Sequence, residues 1–322
     1  MNPALMRAAL IACLTSILSA GTAHAQSQEI EATGPLAHLH GTYLEAGSGA
    51  PTVIIVPGSG PTDRDGNNPL GVQAATYRLI AEGLTERGIA SVRIDKRGMF
   101  GSAAAVKDPN DVTIADYAED IRNWIGAIHT RTGNECIWLL GHSEGALVAL
   151  AAAQRPDNIC GLLLVAGPGR KLGDILRDQL RANPANAPYL PVMLAAINEL
   201  EAGREVDTAT MPPTVAPLFS PATQGFMRNL FAQDPAALIA NVTLPVLILQ
   251  GETDLQIATE DARLLAQANP RATLALLPSV NHVLKEAPAD MGANLATYAH
   301  PNLPLAPGVI DAIAGFIGKH AR

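Results

Sequence analysis

The feature that most narrows the fold is a repeated pairing of a short strand-like run with a longer stretch of helical spacing. Val53–Val56, Cys136–Leu140 and Gly161–Ala166 are continuous apolar runs, and Ser91–Ile94 is a further strand ending at Asp95. Short apolar runs without polar alternation predict strands covered on both faces. Ala74–Arg87 carries Tyr77, Ile80 and Leu84 at helical spacing and stops at Gly88. Thr113–His129 places Ile114, Tyr117, Ile121, Trp124 and Ile125 on one stripe, and Glu144–Gln154 forms a third helix. Strands alternating with helices predict βαβ units, hence an α/β fold with a mostly parallel central sheet and helices on both faces.

The rhythm stops between Gly167 and Asn241. Helical pieces at Leu172–Leu180, Pro191–Leu200 and Gln224–Phe231 are separated by Pro184, Pro188, Pro212, Pro213 and Pro221. A stretch this long is no plain loop, so residues 167–241 predict an inserted helical cap. The sheet resumes at Val246–Gln250, followed by a helix at Thr259–Ala268, a strand at Leu274–Leu277 and a closing helix at Gly308–Ile317. The core is therefore expected over 26–166 and 242–322. Leu36–Leu44 reads as an edge strand and Gln26–Gly34 as a tail.

Residues 1–25 have one charge, Arg7, then an apolar run to about Leu18 and small residues ending in Ala23-His24-Ala25. A basic start, a short apolar core and an A-x-A site describe a secretory signal peptide. The run is too short to span a bilayer comfortably. A mature chain from Gln26, periplasmic or secreted and without stable membrane insertion, is the expectation. The full chain has 22 basic and 30 acidic residues, a net charge of −8. No positive field is available to displace counterions from phosphates, so nucleic acid is an unsuitable partner. At 48% hydrophobic and 16% charged residues, the chain is not of disordered composition. Cys13 falls in the leader, which leaves Cys136 and Cys160 at the starts of two apolar runs. If those runs are neighbouring parallel strands, either a disulfide or two small buried thiols would suit them.

The motif that carries chemistry is Gly141-His142-Ser143-Glu144-Gly145, set between a predicted strand and a predicted helix. A serine there occupies a sharp, strained turn, and flanking glycines let strand and helix approach. The helix N-terminus supplies N–H groups and partial positive charge for a developing oxyanion. A serine needs a base and the base needs an orienting carboxylate, in the chain order serine, acid, histidine for this strand–turn–helix arrangement. Asp254 follows the strand ending at Gln250, and His282 follows the strand ending at Leu277. Both fall at the strand ends that carry Ser143, where open parallel sheets bind ligands. Asp254 is preferred to Glu252 by its Gly-x-x-Asp spacing, and His282 to His300 by its place after a strand. His142 is read as pointing away from the reaction. His38 and His40 alternate on one strand face but lack a Cys, Asp or Glu partner at ligand spacing, so no metal is expected.

On these residues the chain resembles the α/β-hydrolase superfamily over nearly all of its mature length. The stretch Gly58-Ser59-Gly60-Pro61-Thr62-Asp63-Arg64-Asp65-Gly66 is similar to that of bacterial carboxylesterases grouped with serine-aminopeptidase-like hydrolases, although Pro57-Gly58 stands where that branch usually has His-Gly. The resemblance implies a serine esterase without a cofactor, acting on a small-molecule ester. It implies the N–H groups of Ser59 and Glu144 as oxyanion donors, and reads Asp95-Lys96-Arg97-Gly98 as a structural loop pairing charges near the site. Arg64 is a candidate contact to a polar substrate group. Leu218, Phe219, Phe226, Met227, Leu230 and Phe231 are candidates for an acyl pocket under the cap. A serine aminopeptidase holding an amine through Glu199, Glu201 or Glu205, a thioesterase and a catalytically silent binding protein are the alternatives.

Overall fold

The computed structural model describes residues 27–321, so the leader reading of residues 1–25 lies outside the described residues. Among the described residues ten strands form: β1 Ser27–Ala32, β2 Leu39–Leu44, β3 Thr52–Val56, β4 Asn67–Asn68, β5 Val72–Gln73, β6 Ala90–Ile94, β7 Ile137–His142, β8 Ile159–Val165, β9 Val246–Gly251 and β10 Thr273–Leu277. The two short strands β4 and β5 pair only with each other. The other eight make one sheet in the order β1-β2-β6-β3-β7-β8-β9-β10, in which β2 is antiparallel to both neighbours and all remaining pairs are parallel.

Alternation along each strand divides the core in two. Ile54, Val56, Leu139, Leu162, Leu164 and Ile248 face one side with α2 (Ile114–Thr132), α3 (Glu144–Ala152) and α8 (Thr259–Ala268). Val53, Ile55, Leu140, Leu163, Val165 and Leu249 face the other, under α1 (Thr76–Thr85) and α10 (Val309–His320). The α/β-hydrolase architecture expected from the sequence is the one observed. Helix α2 begins with a capping box between Thr113 and Asp116 and ends on Gly133 in the left-handed region.

Two sequence readings need correction. Ser27–Ala32 is the edge strand, not a tail, and Leu39–Leu44 lies one place inside it. In β1 only Ile30 and Ala32 are buried, while Glu29 and Glu31 face outwards, so its apolar signal is too short to read.

Between β8 and β9 run α4 (Leu172–Ala182), α5 (Leu190–Glu201), α6 (Pro221–Phe231) and α7 (Pro235–Ala240). Leu180, Met193, Ile197, Leu200, Val215, Phe219 and Phe231 form a separate apolar cluster there. The segment is tied down: Asn110 Oδ1 accepts from Gly225 N–H at 2.7 Å and Asn229 Oδ1 from Ile114 N–H at 2.9 Å. A last short helix, α9 (Met291–Ala296), packs beside the loop after β10. At the sheet edge away from Ser143, neighbouring β7 and β8 bring Cys136 and Cys160 together as a disulfide with Cα atoms 5.1 Å apart. Among the described residues no helix is long and apolar enough to cross a membrane.

Candidate active site

Ser143 stands between β7 and α3 with φ 55° and ψ −123°, a conformation that L residues hold only under constraint. The constraint is visible. Ser143 N–H bonds Val165 O at 3.0 Å, and Ser143 O accepts from Ala146 N–H at 2.9 Å. The two motif glycines permit the turn by leaving out a side chain. A Cβ on Gly141 would meet Gly145 O at 2.2 Å, and one on Gly145 would meet Val56 O at 2.2 Å. Helix α3 thus lies directly on β3, with Glu144 as its first residue.

His282 and Asp254 come from the loops after β10 and β9. His282 Nδ1 lies 2.8 Å from Asp254 Oδ2, and both side chains are buried. Asp254 Oδ2 also accepts from Gln250 Nε2 at 3.1 Å, and Oδ1 from the N–H groups of Gln256 and Ile257 at 2.7 and 3.0 Å. Burial works to raise the Asp254 pKa, but His282 and the two backbone donors outweigh it and hold the carboxyl below its ordinary value. An ionised Asp254 accepts from Nδ1–H, which leaves Nε2 of a neutral His282 free as a base. The loop is fixed by the buried Asn281, whose Oδ1 accepts from Lys285 N–H and whose Nδ2 reaches Asn294 and Thr297. Glu252 carries no bond to His282, and His300 is exposed.

His142 has a place of its own. Its Nε2 lies 2.8 Å from the carbonyl of His282, which only accepts, so Nε2 carries the proton. Nδ1 therefore accepts from the Tyr77 hydroxyl at 2.9 Å, and Tyr77 Oη accepts from Gly58 N–H at 2.9 Å. Burial, then the nearby His282, lowers the His142 pKa to about 3 and keeps the ring neutral. Sequence reading placed this side chain away from the reaction, but its ring lies with its centroid 4.7 Å from that of His282, both ring nitrogens being engaged by Tyr77 and the His282 carbonyl. What the reading missed is the link from the Gly58 loop to the loop of His282, which joins residues far apart in the chain.

The loop after β6 carries charges inward. Lys96 Nζ donates to Gly58 O and to Glu144 Oε1, both at 2.7 Å, and both ionic side chains are buried. Arg97 forks onto Asp120 at 2.6 and 2.7 Å. Asp95 is forked by Arg64 at 2.7 and 2.9 Å.

Gly58, Ser59, His142, Ser143 and His282 open onto one cavity of about 320 Å³. Leu172, Ile175 and Leu176 of α4 and Met227, Leu230 and Phe231 of α6 form an apolar wall, while Thr62, Asn68, Gln179, Gln256 and Tyr298 supply polar groups. Among the described residues no Asp, Glu, Lys or Arg lines it. Ser59 N–H has no partner among the described residues.

Four pocket candidates are corrected, the first being Leu218, which is exposed and does not line the cavity. Arg64 is turned to Asp95, Glu29 and Thr42, so its guanidinium is spent on the loop and does not line the cavity. Phe219 is fully buried in the cap's own cluster. Phe226 packs edge-on against Tyr117, centroids 5.9 Å apart. Leu230 does line the cavity. Glu199, Glu201 and Glu205 lie outside it, paired with Arg204, Arg177 and Arg228.

The model of the alpha/beta hydrolase family matches residues 53–294, which include the serine turn, both loops and the helical insertion. The chain belongs to the alpha/beta hydrolase family. Among curated proteins it is 28% identical over 252 residues to esterase EstD of Thermotoga maritima, covering 75% of this chain and 56% of that protein. It is 26% identical over 192 residues to monoglyceride lipase of Rattus norvegicus, covering 53% and 60%. The match thus spans a little over half the length of each. Among solved structures, a thermophilic esterase from Thermogutta terrifontis superposes with a TM-score of 0.55 at 18% identity, covering 92% of this chain and all of that one. That likeness speaks for the fold.

Proposed function

We propose that this hydrolase cleaves uncharged carboxylic esters of short to medium acyl chains through a covalent acyl-enzyme. The observation that carries the reading is the His282–Asp254 pair at 2.8 Å, opening with the strained Ser143 onto a cavity free of charged side chains. Ser143 Oγ attacks the ester carbon as His282 Nε2 takes its proton. Asp254 stabilises the resulting imidazolium. The N–H groups of Ser59 and Glu144 receive the oxyanion, each contributing about 3 kcal/mol to the transition state. The tetrahedral intermediate expels the alcohol, which takes the proton from His282. Water then repeats the sequence on the acyl-enzyme, with His282 again as base, and releases the acid and Ser143. The names of the curated relatives, an esterase and a lipase, support this chemistry.

The uncharged lining disfavours the aminopeptidase alternative, which needs a carboxylate for the substrate amine, and the three candidate glutamates are already ion-paired. A thioesterase would use the same machinery. A silent binding protein would have no use for the strain at Ser143. The Cys136–Cys160 disulfide supports export to an oxidising compartment, as proposed from the leader.

The test is hydrolysis of p-nitrophenyl esters from acetate to palmitate, beside amino-acid p-nitroanilides, with wild type and Ser143→Ala. Serine-dependent release from the shorter esters alone is expected. Release from the anilides, or ester turnover that survives Ser143→Ala, would contradict the proposal.

A further inference from the structure

Gly58 is held on both of its flanking peptides by buried side chains, its N–H in the peptide to Pro57 and its carbonyl in the peptide to Ser59. Tyr77 Oη occupies the N–H of Gly58 at 2.9 Å, and Lys96 Nζ holds its carbonyl at 2.7 Å. No peptide bond among the described residues is cis. In a trans peptide the carbonyl and the following N–H point in opposite directions. Whatever fixes the Gly58 carbonyl therefore also aims the Ser59 N–H. Gly58 and Gly60 flank Ser59, and Gly60 has φ 68°, so the loop's own backbone preferences do little to prevent that peptide from turning over. A turned peptide would present a carbonyl, not a donor, to the oxyanion.

The same ammonium reaches the second donor's residue. Lys96 Nζ is 2.7 Å from Glu144 Oε1, and Glu144 supplies the first N–H of α3. Lys96 and Glu144 are 3% and 1% exposed, which makes the pair costly to desolvate. Glu144 Oε2 is buried without a hydrogen-bond partner among the described residues. A pair left partly unsatisfied is poorly explained as a source of stability, because apolar side chains would fill the same space without that cost.

We propose that Lys96 is a positioning residue that locks the oxyanion hole open, clamping the Gly58 carbonyl so that the Ser59 N–H faces Ser143 and joining that loop to the start of α3. The inference rests on the hydrolase reading above. Lys96 touches no substrate; it acts through the orientation of one peptide plane.

The test uses the full-length protein and two readouts. One is the second-order rate at which a fluorophosphonate labels Ser143. The other is kcat and KM for p-nitrophenyl butyrate, normalised to active sites titrated by the label. In Lys96→Met both the labelling rate and kcat should fall about 100-fold, as when an oxyanion donor is lost, with KM within twofold. The double variant Lys96→Met/Glu144→Gln removes the stranded carboxylate as well. It should remain as slow as the single variant, since the clamp on Gly58 is still missing, and it serves if the single variant does not fold. A labelling rate within threefold of wild type in a folded variant, or restoration of the rate in the double variant, would overturn the proposal and assign Lys96 to charge balance alone. Failure of the wild type to be labelled would instead overturn the hydrolase reading, and this inference with it.

Discussion

Ser143 follows directly on β7, and Asp254 and His282 lie in the loops that begin where β9 and β10 end, at Gly251 and Leu277; that is why their places could be read from sequence, since strand ends are marked by where an apolar run stops. Asp254→Asn is the sharpest single-atom test of the assignment. The amide keeps the shape but not the charge that sets the His282 tautomer, so kcat should fall by about three to four orders of magnitude with the melting temperature little changed. Steady-state kinetics beside thermal unfolding would check it. His142 gives a prediction in pH. Its pKa is about 3 when folded against 6.5 as its ordinary value, so between these pH values the unfolded chain binds more protons. Stability contributed by the neutral ring is full above 6.5 and is lost as pH falls, at up to ~1.4 kcal/mol per unit. Asp254, held below its ordinary 3.8, adds loss in the same direction only at lower pH. Denaturant unfolding should show wild type losing about 2 kcal/mol more than His142→Gln between pH 7.5 and 5. Equal losses would mean that His142 is not held neutral. What sequence could not show at this scale is where loop and cap side chains turn. Arg64 is adjacent to the site in the chain, yet Asp95 claims its guanidinium.

At the scale of elements, the strand–turn–helix unit depends on close approach. Gly145→Ala would set a Cβ 2.2 Å from Val56 O, backbone against backbone, and neither can yield cheaply. Destabilisation by more than about 3 kcal/mol with loss of ester turnover is expected from denaturant midpoints and activity. The long helices and continuous strands were legible because their periods repeat over several turns or pairs. Strand β1 and helices α7 and α9 were not, since each has only six residues and few buried ones. The cap helices were legible, but their partners were not. Helical spacing marked Gln224–Phe231, while only packing shows that Phe226 serves Tyr117 and Leu230 the cavity. Replacing Leu230 with Trp should fill part of the apolar wall and shift the preference in the p-nitrophenyl series towards shorter acyl chains. An unchanged chain-length profile would place the acyl group elsewhere.

Across the whole molecule, the chemistry and the staple lie at opposite edges of one sheet. The disulfide closes a loop of 24 residues between β7 and β8, away from the loops that carry Ser143, Asp254 and His282. Loop-closure entropy makes its contribution about 3 kcal/mol. Reduction should therefore lower the denaturant midpoint while leaving kcat at 25 °C near its oxidised value, which parallel unfolding and turnover with and without reductant would establish. In the proposed mechanism Ser143 is a nucleophile activated by the buried His282–Asp254 pair. Its most direct measurement is intact-protein mass spectrometry after brief exposure to a fluorophosphonate, with the adduct mapped by peptide digestion. One adduct is expected, on Ser143, absent in Ser143→Ala and formed far more slowly in His282→Ala. An adduct on another residue, or labelling of Ser143 at the wild-type rate without His282, would contradict it.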